Sequence, residues 1–245
     1  MRTYSPHFYL AFFLLLNIFN FIDRNLLIAF APQIKSDFNL SNVEWGLLTG
    51  VYFLFFYSVF GIFMGVLGDK FNRMKIAAAG VFLWSLMTAF TGMAKNFTHL
   101  IVARALIGVG ESALTPNSIS MLSDVYNQNK RGTASAIYYL GIPLGVGLAM
   151  LIAAYFGPMF GWRTVFISLG FIGVALAIIT YFLIEPIRGQ LDISSQNYEK
   201  SMSIREIISL TKSTLYNSKS LTLIIVGSIF LHIPLGAGNF EVLWA

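Results

Sequence analysis

The sequence predicts an all-α integral membrane protein, and three observations carry that reading. First, 56% of its 245 residues are apolar and only 11% are charged, with a mean hydropathy of +0.71. A soluble domain holds about 45–50% apolar and about 25% charged residues, so the deficit of charge decides the class. Second, six apolar runs reach the roughly 20 residues that a bilayer-spanning helix needs, and a seventh runs up to the end of the chain. Third, lysine and arginine sort to one side of those runs. A membrane β-barrel would alternate in segments of about ten residues, which the unbroken run "FYLAFFLLLNIFNFI" excludes.

The spans are placed at 8–30, 45–67, 76–94, 100–122, 133–156, 164–184 and 221–241. Arg2 before the first run imitates a signal peptide, but no small-residue cleavage site follows and the run continues into "DRNLLIAFAP". Span 1 is therefore expected to stay uncleaved. Span 2 opens with Ser41 and Glu44 in capping-box spacing. Span 5 carries "YYLGIPLGVG". Gly141 and Gly145 form a small-xxx-small pair that admits a neighbouring backbone, and Pro143 removes a helical hydrogen bond and allows a bend. These three residues are expected to make span 5 a pliable segment, with ordinary helix-packing glycines as the plainer alternative.

Three regions follow: a six-helix bundle over 1–184, a linker over 185–220, and helix 7 over 221–245. Within the linker, "SIREIISLTKSTLY" has Ser203 and Glu206 in capping-box spacing, Ile204, Ile207, Ile208 and Leu215 near one face, and Arg205 and Lys212 off it. That pattern predicts an amphipathic helix on the inner membrane surface. The chain stops at "GNFEVLWA", inside helix 7. Six helices, a linker and one more helix suggest the first half of a twelve-helix design, to be completed by a C-terminal six-helix half.

Placing the N-terminus in the cytoplasm puts eleven basic residues, from Arg2 to Lys219, in inside loops, against Lys35, Lys95 and Arg163 outside. That bias predicts a multi-pass protein of the cell (inner) membrane with a cytoplasmic N-terminus. It also accounts for the net charge of +5 without a nucleic-acid partner. There is no cysteine, hence no disulfide framework or thiolate metal site. No P-loop, metal-ligand cluster or nucleophile–base pair is found, so neither a cofactor nor enzymatic activity is expected.

The informative residues are charges inside the apolar runs. A charge at the bilayer centre costs at least about 2.5–3.5 kcal/mol, yet span 1 holds Asp23 and Arg24, and span 4 holds Arg104 and Glu111. Arg104, Gly108 and Glu111 fall at i, i+4 and i+7, one helical face that Thr115 and Ser118 extend. Asn17, Asn20 and Arg24 share a face of span 1, with Asp23 on its flank. Two polar stripes facing each other would pair Arg24 with Glu111, or Asp23 with Arg104. Glu111 lies about 18 Å into its span at 1.5 Å per residue, near the midplane where transport sites sit. A purely structural ion-pair network is the plainer alternative, although apolar packing would tie the helices at a lower desolvation cost. A carboxyl held between a dry surrounding and a basic partner can alternate between a proton and a salt bridge, as proton-coupled transport requires. Asn20, Thr115, Tyr138 and Tyr139 are candidates to line the cavity.

Between spans 2 and 3 stands "GVLGDKFNRMK". It resembles the signature loop of the major facilitator superfamily, with Gly65, Leu67, Asp69, Arg73 and Lys75 matching and Asn72 in place of a glycine at an expected left-handed turn. The resemblance covers essentially the whole chain. "GWRTVF" is similar to the loop opening span 6, and "RALIGVGESA" to the span 4 motif of proton-coupled members. Span 5 departs from the antiporter motif, because Ile142 separates Gly141 from Pro143. Within the superfamily, "NFIDRNLLIAFAPQIKSDFNLS", "RALIGVGESALTPNSISMLSD", "IYYLGIPLGVGLA" and "EPIRG" look most like Spinster-type transporters.

The resemblance implies a major facilitator fold with a 3+3 inverted repeat in the six-helix bundle. It implies a secondary active transporter that works by alternating access and moves lysolipids or sphingoid lipids with protons. Arg24 and Glu111 would be the coupling pair, supported by Asp23 and Arg104. Gly65, Asp69, Arg73 and Lys75 would form a cytoplasmic gating loop. An organic-anion or sugar-acid porter is the alternative substrate class. A membrane sensor or scaffold on a transporter fold is the alternative outside transport. The partners implied are the lipid bilayer, protons and a small-molecule or lipid-like substrate.

Overall fold

The computed structural model describes residues 4–191 and, beyond them, the isolated positions Ser209, Ser213, Thr214, Asn217, Ser218, Ser220, Leu223 and Gly227. Residues 1–196 form one compact unit and 197–245 a second. The expected amphipathic helix near 203–215 and helix 7 lie outside the described residues, apart from those isolated positions.

The described residues of the first unit form helices joined by short turns, with a non-helical segment at 183–191. Helix α1, Pro6–Ala29, starts where the Ser5 hydroxyl accepts the Phe8 amide at 3.3 Å and Pro6 occupies the first turn, where its missing N–H costs nothing. A short α2, Ala31–Phe38, ends at Asn39 in the left-handed region (φ 51°). Helix α3, Asn42–Gly46, carries the expected capping box: the Ser41 hydroxyl accepts the Glu44 amide, and the Glu44 carboxylate accepts the Ser41 amide at 2.9 Å. It runs through a π-helical turn at Leu47–Val51 into α4, Tyr52–Lys70. Helix α5 covers Arg73–Gly92, α6 Phe97–Glu111, α7 Leu114–Val125, α8 Gln128–Tyr139 and α9 Gly141–Phe182.

Among the described residues, five helical stretches are long and apolar enough to cross a membrane: Pro6–Ala29, Asn42–Lys70, Arg73–Gly92, Phe97–Val125 and Gln128–Phe182. The last is two spans. Gly161 interrupts α9 with φ 75° and ψ 156°, a conformation essentially reserved to glycine. Six spans therefore lie in the described residues. Spans 1 to 4 begin a few residues before the apolar runs do, where Ser5, Ser41, Asn72 and Asn96 cap the first turns. Gly161→Ala is expected to destabilise the bundle by about 1–3 kcal/mol, read as a lower Tm in detergent.

Spans 5 and 6, the two arms of α9, both touch α1, where Gly173 of span 6 meets Phe19, and span 6 also packs on α5. Span 5 lies on α1, so close that a Cβ at Gly145 would come within 2.6 Å of the Ile18 carbonyl oxygen. Span 6 lies on α5, where Gly170 and Gly173 face Ala89 and Ser85. The Gly161 turn is fastened by Trp162, whose indole N–H donates to Asp37 at 2.9 Å, and by Arg163, which donates to the Ala94 carbonyl at 2.6 Å. Gly145→Leu is expected to separate span 5 from α1 and lower folded yield more than Gly147→Leu, because Gly147 has nothing within 4 Å.

Candidate functional site: buried charges between spans 1, 2 and 4

Helix α1 delivers Arg24 and α6 delivers Glu111, and the two meet. The Arg24 guanidinium donates through Nε at 3.0 Å and Nη2 at 2.5 Å to the same carboxylate oxygen, Oε2. The Glu111 side chain is completely buried, whereas that of Arg24 is 23% exposed. Oε1 of Glu111 is buried with no hydrogen-bond partner. Leaving one oxygen of a buried carboxylate unsatisfied is costly and uncommon in native structures.

Local sequence explains how Glu111 comes to be there. It is the last residue of α6. The helix breaks at Ser112 and Ala113 before resuming at Leu114, and Pro116 supplies no amide for the Ser112 carbonyl. A carboxylate at a helix C-terminus meets the negative end of the dipole, so it depends on the arginine opposite. Gly108, one turn earlier, lets α4 approach until a Cβ there would sit 2.7 Å from the Phe53 carbonyl oxygen. That approach brings aromatic rings onto the charges. The Arg24 guanidinium carbon lies 4.7 Å from the Phe53 ring centre and 4.9 Å from those of Phe21 and Tyr57. Such cation–π contacts hold a partly desolvated guanidinium in place.

Asp23 does not pair with Arg104. Its carboxylate oxygens lie 2.8 and 2.7 Å from the Thr88 hydroxyl of α5, which also lies 2.9 Å from the Trp84 carbonyl. Arg104 is buried, its Nε has no partner, and its guanidinium carbon lies 4.7 Å from the centre of the Phe53 ring. One aromatic ring thus serves both arginines.

The polar stripe continues away from the charges. Thr115 and Tyr138 share a hydrogen bond at 3.2 Å, and Asn17 donates to the Tyr138 carbonyl at 2.8 Å. Asn20 is buried, and its side-chain nitrogen has no partner. Tyr138 is fully buried, whereas Tyr139 is 45% exposed. Asn17 sits directly against Gly141. The helical run breaks at Leu140, between α8 and α9, with Pro143 just beyond. Span 5 is thereby keyed to span 1 at its own irregularity.

The loop between spans 2 and 3 is held by a feature that sequence reasoning left without a role. Arg73 donates through Nε to Glu185 at 2.6 Å and through Nη1 to Ser120 at 2.9 Å, and its Nη1 lies 2.6 Å from Asp124. Arg188 donates to the Asp69 carbonyl at 2.6 Å and to the Phe71 carbonyl. The Gly189 amide donates to Asp124 at 2.8 Å. Residues 185–189 form a strap across the ends of spans 2, 3 and 4. Gly65, Asp69 and Arg73 line a small polar cavity there with Asn117 and Ser120, while the Lys75 ammonium stands 5.5 Å from the centre of the Tyr181 ring. Asn72 corrects an expectation. It is not left-handed (φ −63°, ψ 114°) but is the N-cap of α5, its side chain accepting the Lys75 amide at 2.9 Å. That capping is why asparagine serves at this position.

Comparisons with known proteins place this arrangement. Residues 13–240 match the Major Facilitator Superfamily. The chain is 29% identical over 198 residues to Protein spinster of Drosophila melanogaster, covering 80% of this chain and 32% of that protein. It is 33% identical over 180 residues to the sphingosine-1-phosphate transporter SPNS2 of Danio rerio, covering 72% and 36%. It is 31% identical over 166 residues to a probable L-galactonate transporter of Escherichia coli (strain K12), covering 68% and 36%. Among solved structures, a bacterial homolog of the human lysosomal transporter Spinster, inward-facing and occupied, superposes with a TM-score of 0.70 at 32% identity, covering 78% of this chain and 47% of that one. The chain thus spans about a third to a half of the length of these relatives, which point to transport rather than enzymatic chemistry. The chain belongs to the major facilitator superfamily, and within it is Spinster-like.

Proposed function

We propose that the protein is a proton-coupled secondary transporter in which Arg24 and Glu111 exchange partners during the transport cycle. The observation that carries this reading is the asymmetric pair: a wholly buried carboxylate with one free oxygen, held by a guanidinium that remains partly open. An anionic group of a substrate entering beside Arg24 competes for its donors. Glu111, losing its partner in a dry site, then takes a proton. Return of Arg24 expels that proton.

Asp23 and Thr88 favour proton handling as well. The Thr88 hydroxyl carries one hydrogen for three nearby acceptors. If Asp23 is protonated, it donates to Thr88 and Thr88 donates to the Trp84 carbonyl, so every group is satisfied.

The aromatic surround of Arg24 and the similarity to Spinster-type proteins support a lysolipid or sphingoid-type amphiphile with an anionic head. The similarity to a probable L-galactonate transporter supports a small organic or sugar acid as the second reading. We place the N-terminus and the strap at 185–189 on the cytoplasmic side of the inner membrane, from the distribution of basic residues. Six spans rock against a C-terminal half of the protein around the buried charges.

The test uses the protein at full gene length in proteoliposomes carrying a pH-sensitive dye, challenged with lysolipids, sphingoid bases and sugar acids. One class is expected to drive proton movement. Binding without transport or proton movement for every class would favour a sensor on this fold.

A further inference from the structure

Span 2 contains the one π-helical turn among the described residues, Leu47–Val51, and that turn decides which side chain reaches the charged centre. Within it the Tyr52 amide donates to the Leu47 carbonyl, five residues back rather than four. Such a turn absorbs one extra residue into an otherwise regular helix, and π turns concentrate at functional sites. In an unbroken α-helix, Phe53 would stand about 80° around the axis from Trp45 and about 140° from Leu48. With one residue absorbed, it stands about 20° from the first and about 40° from the second. Trp45, Leu48 and Phe53 are all buried, so the π turn gathers the anchors of span 2 on one face.

That face presents the Phe53 ring to two cations. The guanidinium carbons of Arg24 and Arg104 each lie 4.7 Å from its centre, and the close approach at Gly108 fixes the Phe53 backbone as well. Phe21 and Tyr57 also attend Arg24, but among the described residues Phe53 is the ring that both arginines share. The attraction of a cation to a ring face acts on the whole charge and consumes no N–H donor. It therefore survives a change of hydrogen-bond acceptor. Arg24 gives Nε and Nη2 to one oxygen of Glu111. When an anion takes those donors, the contact with Phe53 remains. The negative face of the ring also offsets part of the repulsion between two like charges brought to it.

We infer that Phe53 is a positioning residue for transport: its ring, set in place by the π turn of span 2, holds Arg24 and Arg104 while the acceptors on Arg24 are exchanged. The inference rests on the transport reading of the Arg24–Glu111 pair. It assigns Phe53 a part that depends on the electrostatics of its ring face and not only on the space the ring fills.

The test replaces Phe53 in the full-length protein with phenylalanines carrying one, two or three ring fluorines. Fluorine withdraws electron density from the ring face and barely changes its shape, so packing stays while the attraction to cations falls. Proteoliposomes with a pH-sensitive dye are challenged with lysophosphatidate and, separately, with galactonate. The KM of the anion that moves protons is expected to rise with each fluorine, about three- to tenfold at three fluorines, with the maximal rate within about twofold of wild type. The same series at Phe13, a buried ring beside Tyr9 and Phe12, should leave KM flat. Thermal unfolding supplies a substrate-free measurement. Tm should fall with fluorine number at position 53, and less steeply in Arg24→Leu/Glu111→Gln, where only Arg104 still faces the ring. Deletion of Gly50 removes the extra residue and keeps the buried face. Nothing lies within 4 Å of a Cβ built there, so the deletion empties no packed site and should preserve the fluorine dependence. A KM that ignores fluorine number overturns the inference, as does a Gly50 deletion that misfolds or loses the dependence. If neither anion moves protons in the wild type, the anion-transport reading fails, and an equal Tm slope in the two backgrounds still overturns the role of Phe53.

Discussion

Glu111→Gln is expected to reduce substrate-driven proton movement to the background of empty liposomes while leaving substrate exchange across the membrane intact. Glutamine keeps the shape of the side chain and an oxygen that can accept from Arg24, but it can neither release nor bind a proton at that oxygen. The loss of charge on the hydrogen bonds should cost about 1.5–3 kcal/mol of stability, which still permits purification. Dye-reported proton flux and radiolabelled counterflow, measured on the same vesicles, check the split.

Arg24→Leu behaves differently. It strands a completely buried carboxylate, which costs about 3–5 kcal/mol if the charge stays. The double variant Arg24→Leu/Glu111→Gln should recover most of that loss. A cycle in which the two effects simply add would mean that the pair seen at 2.5 Å contributes nothing to the fold.

Arg73→Ala is expected to be the most damaging substitution outside the charged centre. The guanidinium is 5% exposed and engages two carboxylates that are themselves 10% and 13% exposed. Removing it leaves Asp124 with the Gly189 amide but no cation, and Glu185 with only the half-exposed Arg188 at 3.3 Å, at a cost of about 3–5 kcal/mol. Arg73→Lys should rescue little, since a single ammonium cannot reproduce donors that reach Glu185, Ser120 and the Pro186 carbonyl in different directions. Thermal unfolding in detergent measures both. Combining Arg73→Ala with Asp124→Asn and Glu185→Gln should restore part of the stability, because the stranded charges are then gone.

Much of the charged centre could be read from spacing alone. Arg104, Gly108 and Glu111 at i, i+4 and i+7, opposite Asn17, Asn20 and Arg24, define two faces, and helical periodicity leaves few ways for them to meet. What spacing does not report is which third helix intervenes. Thr88 sits in span 3 as one of several ordinary hydroxyl residues, and nothing about its neighbours marks it as the partner of Asp23. Phe53 is similarly anonymous in a span rich in phenylalanine. Its role follows from the close approach at Gly108, a tertiary fact.

The strap at 185–189 was visible as a motif without a function. Its signal was a Glu and an Arg flanking Pro186 immediately after span 6, beside a loop rich in basic residues. Reading its contacts needed the ends of three other spans. Asn72 shows the opposite error. A family pattern with glycine suggested a left-handed turn, but asparagine can cap a helix from an extended conformation, and capping prevails here.

The central claim is that Glu111 gains a proton when a substrate takes its place on Arg24. Infrared difference spectroscopy on the reconstituted full-length protein tests it most directly. Adding the transported substrate should produce the carbonyl stretch of a protonated carboxyl, shifted in heavy water and missing in Glu111→Gln. Transport with no such band, or with a band that persists unchanged in Glu111→Gln, would contradict the account.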